Sequence, residues 1–246
     1  MVGAPAAQDA VARARQLPSL RVGLHLVLVE GRPVLPAARL PDLVDRTGRF
    51  RTDMVGMGVE IFLRPGVRRQ LASEITAQFE AFQATGLALD HVNAHKHFHL
   101  HPMIAGQILD IGARYGMKAV RVPAEPADVL RRVEPRSNPT PSLLTAPWAA
   151  LLRARVRRRG LMAPDRVFGL AWSGAMTESR IAGLLFHLPA GITEIYAHPA
   201  TSGEFDGANP AYRYADELAA LTAPAIRAAA SASGARLGGF TGLGVA

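Results

Sequence analysis

Five of the eight histidines in this 246-residue chain fall between residues 91 and 101, in Asp90-His-Val-Asn-Ala-His-Lys-His-Phe-His-Leu-His-Pro102. Burying several imidazoles in one segment leaves polar nitrogens that need partners, so this stretch constrains whatever folds around it. Two periodicities compete. A strand running into a loop puts His95, His97, His99 and His101 on one side and Lys96, Phe98 and Leu100 on the other. A helix pairs only 91/95, 95/99 and 97/101. The strand reading is preferred, because Leu87–Val92 is short, partly β-branched and preceded by Gly86, while Pro102 suits the first position of a helix. The imidazoles are then expected at the carboxyl end of a strand, where α/β folds with parallel strands collect ligands and catalytic groups. Neutral imidazole is the commonest protein ligand for divalent transition metals, so the cluster as a unit is a candidate metal site. Any one of the five taken alone reads better as a helix cap or a hydrogen-bonded core residue.

The rest of the chain alternates strand-like and helix-like segments. Ala6–Leu17 is alanine-rich and stopped by Pro18, and Leu20–Val29 reads as a strand carrying His25 among apolar neighbours. Residues 30–65, rich in Pro, Gly, Asp and Arg, read as a long loop with little regular structure, of the kind that serves as a lid or binding loop. Val67, Leu71, Ile75, Phe79 and Phe82 form a helical stripe ended by Gly86, and residues 103–115 repeat it. Lys118–Val122 is expected as a strand, Pro123–Pro141 as an extended proline-rich run, and Ser142–Arg159 as a helix that accommodates Pro147. Arg166–Leu170 and Gly191–Ala197 are expected strands flanking a helix over Thr177–His187. A helix over Asn209–Ala230, interrupted near Pro224, leads to a last strand at Arg236–Phe240. Six strands with helical crossovers argue for one α/β domain over residues 1–246.

Composition narrows the chemistry. With no cysteine, disulfides, thiolate metal sites and cysteine nucleophiles are excluded, so His, Asp, Glu or water must hold any metal. No long apolar run or signal-peptide pattern is seen, which gives the expectation of a soluble, cytoplasmic protein. The net charge of +8 is compatible with anionic partners. Its densest run, Arg153-Ala-Arg-Val-Arg-Arg-Arg159, reads first as cations near a helix C-terminus.

The stretches Gly23-Leu-His25-Leu, Asn93-Ala-His95-Lys-His97-Phe-His99-Leu-His-Pro102, Arg121-Val-Pro-Ala-Glu125 and Glu194-Ile-Tyr-Ala-His198-Pro199 occur in the order found in the YdjC-like carbohydrate deacetylases, the ChbG/HpnK group. The chain resembles that family, and the wording of its histidine segment is most similar to the hopanoid-associated HpnK branch. The resemblance implies a distorted (β/α) barrel like that of the NodB-type deacetylases and a divalent metal, Mg2+ or Zn2+, on an aspartate and two histidines. Those histidines fall on His25 and His95. The same carry-over makes His198 a candidate acid and lets His97 and His99 line the site or orient its ligands. It also puts Arg121, Glu125 and Trp172 in contact with substrate. The implied reaction is removal of an N-acetyl group from an amino sugar, in the HpnK reading one carried by a hopanoid lipid, which would bring a cytoplasmic protein to the inner membrane face. A homodimer is compatible with it.

The family's Asp-Asp-Phe-Gly motif has no counterpart, since this sequence contains no Asp-Asp pair. Its start resembles the end of the family's second strand, which predicts a barrel lacking its first βα unit and a chain with little activity of its own. Two other readings stay open. One is a different metal-dependent barrel amidohydrolase with several cluster histidines on zinc. The other is a non-enzymatic basic protein for membrane surface or, least favoured, nucleic acid.

Overall fold

A computed structural model describes residues 1–137 and 142–243, with the side chains of 142–144 outside that description. The chain forms two compact units. The first comprises Met1–Arg121, Trp148–Ala163 and the segment from Gly238 on; the second comprises Val122–Pro147 and Pro164–Leu237.

In the first unit, helix α1 (Ala7–Arg15) leads to strand β1 (Val22–Leu26). Helices α2 (Met54–Leu63) and α3 (Pro65–Ala84) precede strand β2 (Leu89–Ala94), and helix α4 (Pro102–Arg114) follows it. β1 and β2 run parallel, with His25 opposite Asn93 and Leu26 opposite Ala94. Parallel bridges continue the sheet from Val92 to Val120 and from Ala119 to Met162. Its apolar side chains, among them Leu24, Leu26 and Val92, are buried with the α3 stripe and with Ile104 and Ile108 of α4.

In the second unit, helix α5 (Ala127–Val133) precedes helix α6 (Ser142–Arg158), whose residues from Trp148 on belong to the first unit. Strand β3 (Arg166–Phe168), helix α7 (Glu178–Phe186) and strand β4 (Thr193–Ile195) form a parallel β-α-β unit, and helices α8 (Tyr214–Thr222) and α9 (Pro224–Ala232) follow. Phe168, Trp172, Met176, Leu184 and Ile226 make its core.

Several expectations are corrected. Residues 30–65 contain α2, because the Asp53 carboxylate caps it by accepting the Gly56 N–H at 2.9 Å and because Met57, Gly58 and Ile61 bury against the fold. The two glycines, each costing about 1 kcal/mol against alanine in a helix, hid it. The run 123–141 is not extended throughout, since α5 occupies part of it; residues 138–141 lie outside the described residues. Lys118–Val122 contributes bridges only, and Arg236–Phe240 is irregular before a 3-10 turn over Phe240–Gly242. The strands, three to six residues long, form two open parallel sheets, with no closed sheet among the described residues. Nor is any helix there long and apolar enough to cross a membrane.

Candidate functional site

The histidine segment does not continue the strand. β2 ends at Ala94, and residues His95–Leu100 turn in 3-10 fashion through two left-handed residues, Lys96 (φ 50°) and His97 (φ 53°). Each L-residue so placed costs about 1–2 kcal/mol, a cost that persists where surrounding structure over-determines it. Here the Lys96 ammonium pairs with Glu30, itself left-handed at φ 51°. The alternation that would have set four imidazoles on one side is thereby lost, and each goes its own way.

His25 and His95 come together, with ring centroids 5.7 Å apart and edge to face. His25 Nδ1 lies 2.6 Å from Asn93 Oδ1, its neighbour across the β1–β2 pair. A carboxamide oxygen only accepts, so His25 carries its proton on Nδ1 and keeps the Nε2 lone pair. Burial pushes the His25 pKa down to about 3, against the smaller upward pull of the Asn93 bond. Burial also lowers that of His95, whose Nε2 is 3.5 Å from Glu30 Oε2. Desolvation raises the Glu30 pKa, but the Lys96 and His95 contacts outweigh it and hold that carboxyl below its ordinary value.

His99 and His101 make contacts away from the His25–His95 pair. His99, 1% exposed, donates from Nε2 to the Arg121 carbonyl at 2.8 Å, leaving Nδ1 without a partner among the described residues. Burial drives its pKa to about 4. His101 precedes α4 and packs its ring on Phe62 and Phe98. His97 is half-buried, 6.0 Å from the His99 ring, and Arg121 is buried.

These shifts have a sign. Between pH 6.5 and about 4 the unfolded chain protonates His99 while the folded chain does not, so its contribution is complete above 6.5 and lost as pH falls toward 4, at about 1.4 kcal/mol per pH unit. His25 acts likewise down to about 3. The raised carboxyls of Glu74 and Glu125 work the other way, so the His99 share is read by difference. His99→Gln, which retains a donor toward Arg121, is expected to flatten the pH slope of urea-unfolding stability by about that amount between pH 4.5 and 6. An unchanged slope contradicts it.

Metal ligation by histidine calls for a neutral ring with its other nitrogen held by an outer partner. His25 meets both conditions and His95 the first, so the pair fits as two ligands. Among the described residues, no group of three His, Asp or Glu is arranged to close on one ion.

In the second unit His198 follows β4, half-buried between Tyr196 (ring centroids 5.6 Å) and Tyr212 (4.9 Å). The Tyr212 hydroxyl bonds Ser173 Oγ at 2.8 Å. The His198 backbone N–H donates to the buried carboxylate of Glu217, which also accepts the Met176 N–H at 2.8 Å. Glu125 accepts the backbone N–H groups of Gly169, Leu170 and Ala171 at 2.8–3.0 Å, and so fixes the loop after β3. Trp172 is 5% exposed in the core, with the Arg180 guanidinium 5.1 Å from its ring centroid. Glu125 and Trp172 make these contacts within the second unit. Sequence reasoning missed Glu30, Asn93, Tyr212 and Glu217, although Asn93 sat inside the quoted motif.

Comparison with known proteins finds relatives among carbohydrate deacetylases. A carbohydrate deacetylase of Geobacillus stearothermophilus is 28% identical over 241 residues, covering 96% of this chain and 82% of that protein. One from Brevibacillus brevis is 37% identical over 115 residues, covering 47% of this chain and 43% of its own length. A crystal structure from Enterococcus faecalis V583, of a protein named for cellobiose-phosphate cleavage, superposes with a TM-score of 0.74 at 22% identity, covering all of this chain and 86% of the other. That likeness establishes a shared α/β fold. The family described as YdjC-like protein matches residues 1–232, and the chain belongs to it.

Proposed function

We propose that this chain is a carbohydrate N-deacetylase, hydrolysing the acetamido group of an amino sugar with the help of a divalent metal. The observation that supports it most is the meeting of His25 and His95 at the ends of adjacent parallel strands, in a chain whose relatives are carbohydrate deacetylases. His25 and His95 would hold Mg2+ or Zn2+, which supplies Lewis-acid activation of the amide carbonyl and of water. The chain's own residues do the rest. Asn93 orients His25, and Lys96 fixes Glu30 beside His95. The family resemblance makes His198, in the second unit, the candidate acid. Water adds to the carbonyl carbon and its two protons pass to solvent, the C–N bond breaks as the sugar nitrogen takes a proton from the His198 imidazolium, and acetate departs; solvent then reprotonates His198. Tyr196 and Tyr212 fix that ring.

Acetate release from N-acetylglucosamine oligomers tests this reading. Slow release is expected from the unaltered chain with added metal, in keeping with its missing Asp-Asp motif, and none from the de-acetylated oligomer; failure to release acetate from any acetylated amino sugar would count against it. His198→Gln is expected to lower kcat about 100-fold while metal affinity holds. Equal kcat in the two proteins removes His198 from the reaction.

A lipid-linked N-acetylglucosaminyl substrate is the finer reading. It is supported by the HpnK-like wording of residues 93–102 and by the exposed Val55, Val59, Phe62 and Leu63 along α2, a face suited to an apolar substrate tail. A higher kcat/KM for a lipid-linked than for a free sugar is the expected result.

A further inference from the structure

The His25 tautomer is set from further away than Asn93. Asp90, at the buried second position of β2, has four donors around its carboxylate. Oδ2 accepts the Phe240 N–H at 3.0 Å and faces His91 Nδ1 at 3.0 Å, while Oδ1 accepts the Thr241 N–H at 3.0 Å and the Thr241 hydroxyl at 2.6 Å. Burial pushes the Asp90 carboxyl up, but these bonds outweigh it and keep the group ionised. An ionised carboxylate only accepts, so His91 presents Nδ1–H to it, and a neutral ring so placed keeps its lone pair on Nε2. That lone pair faces Asn93 Nδ2 at 3.4 Å, which requires the amide nitrogen toward His91 and the oxygen toward His25. With His91 neutral, the polarity of each group sets that of the next.

The His91 ring is held for this task. Phe240 packs on it with ring centroids 4.6 Å apart. On the β1 side a Cβ at Gly23 would stand 2.5–2.7 Å from its Cε1, Nε2 and Nδ1, so only glycine leaves room. Gly23→Ala is expected to displace the ring and cost about 1–3 kcal/mol in urea unfolding; unchanged stability contradicts that close contact.

We propose that Asp90, His91 and Asn93 form a polarised hydrogen-bond relay that holds His25 as its Nδ1–H tautomer and presents its Nε2 lone pair. All three are positioning residues, acting through His25. Only the consequence for metal binding rests on the proposed function; the tautomer itself does not.

The test is long-range 1H–15N correlation on the metal-free chain labelled with 15N-histidine, which reads which ring nitrogen carries the proton. The unaltered chain is expected to show Nδ1–H at both His25 and His91. Nε2–H at either overturns the relay without any variant. His91→Phe keeps the packing on Phe240 but removes the acceptor that orients Asn93. His25 is then expected to shift to a mixture dominated by Nε2–H, the form favoured in water. An unchanged His25 signal in a folded variant overturns the proposal. Asn93→Asp gives a second reading, because a carboxylate there accepts from both neighbours. His25 should remain Nδ1–H while His91 becomes protonated on both nitrogens, and a neutral His91 overturns the assigned polarity.

Zn2+ titration separates the two claims. Outer partners of a metal-ligating histidine are worth about 10–100-fold in affinity, so His91→Phe is expected to weaken Zn2+ binding at least about 10-fold. A changed tautomer with unchanged affinity leaves the relay standing and removes His25 from metal ligation.

Discussion

Replacing His95 with alanine is expected to abolish both divalent-metal binding and N-deacetylation, with kcat/KM falling by about 1000-fold or more. The reasoning starts from donor count. No cysteine is available, and His25 with His95 is the imidazole pair that the β1 and β2 strand ends bring together. Removing one of two imidazoles leaves a single neutral nitrogen, too little to retain a metal. Lewis-acid help to amide hydrolysis is worth several kcal/mol, and about 4 kcal/mol corresponds to three powers of ten in rate. The fold should survive, because His95 is half-buried and its side-chain contacts are with Glu30 and the His25 ring. Isothermal titration with Zn2+ and acetate release, both on protein of unchanged melting temperature, check the two halves separately. Retained activity with lost metal binding would separate the pair from the chemistry.

Glu217→Ala is expected to destabilise the second unit by about 3–5 kcal/mol. Its carboxylate is fully buried and accepts two backbone N–H groups, those of Met176 and His198. Truncation leaves both donors unsatisfied, at about 1–3 kcal/mol each, and opens a cavity beneath α8. Glu217→Gln keeps one carbonyl oxygen and is expected to cost less. Because the His198 backbone hangs on Glu217, the milder variant should also lower kcat. Urea unfolding followed by tryptophan fluorescence reads the stability. A Glu217→Ala protein as stable as the parent would mean that the carboxylate carries no such burden.

The parts of this molecule legible in the sequence are those with local causes. The stripe Val67, Leu71, Ile75, Phe79 and Phe82 gave α3, Pro102 gave the start of α4, and the short β-branched run before His95 placed the imidazoles at a strand end. His25 and His95 are paired through the family resemblance, since the 69 residues between them carry no periodicity that joins them. What stayed hidden depends on distant partners. Nothing near Glu125 or Glu217 in sequence says which backbone N–H groups they will collect, and Asp90 meets Thr241 from 151 residues away. Period-2 alternation failed at residues 95–101 because it presumes an extended chain, whereas Lys96 and His97 turn left-handed once Lys96 reaches Glu30. The α2 helix escaped because its glycines argue locally against it, whereas the Asp53 cap and the burial of Met57 and Ile61 that favour it depend on the folded chain.

The most direct test of the central claim, that metal held by His25 and His95 drives deacetylation, is acetate release from an N-acetylglucosamine oligomer before chelation, after chelation and after metal is restored. The expected result is loss on chelation and recovery with Mg2+ or Zn2+ in the unaltered chain, with no recovery in His95→Ala. Release that survives chelation, or that recovers equally in His95→Ala, contradicts it.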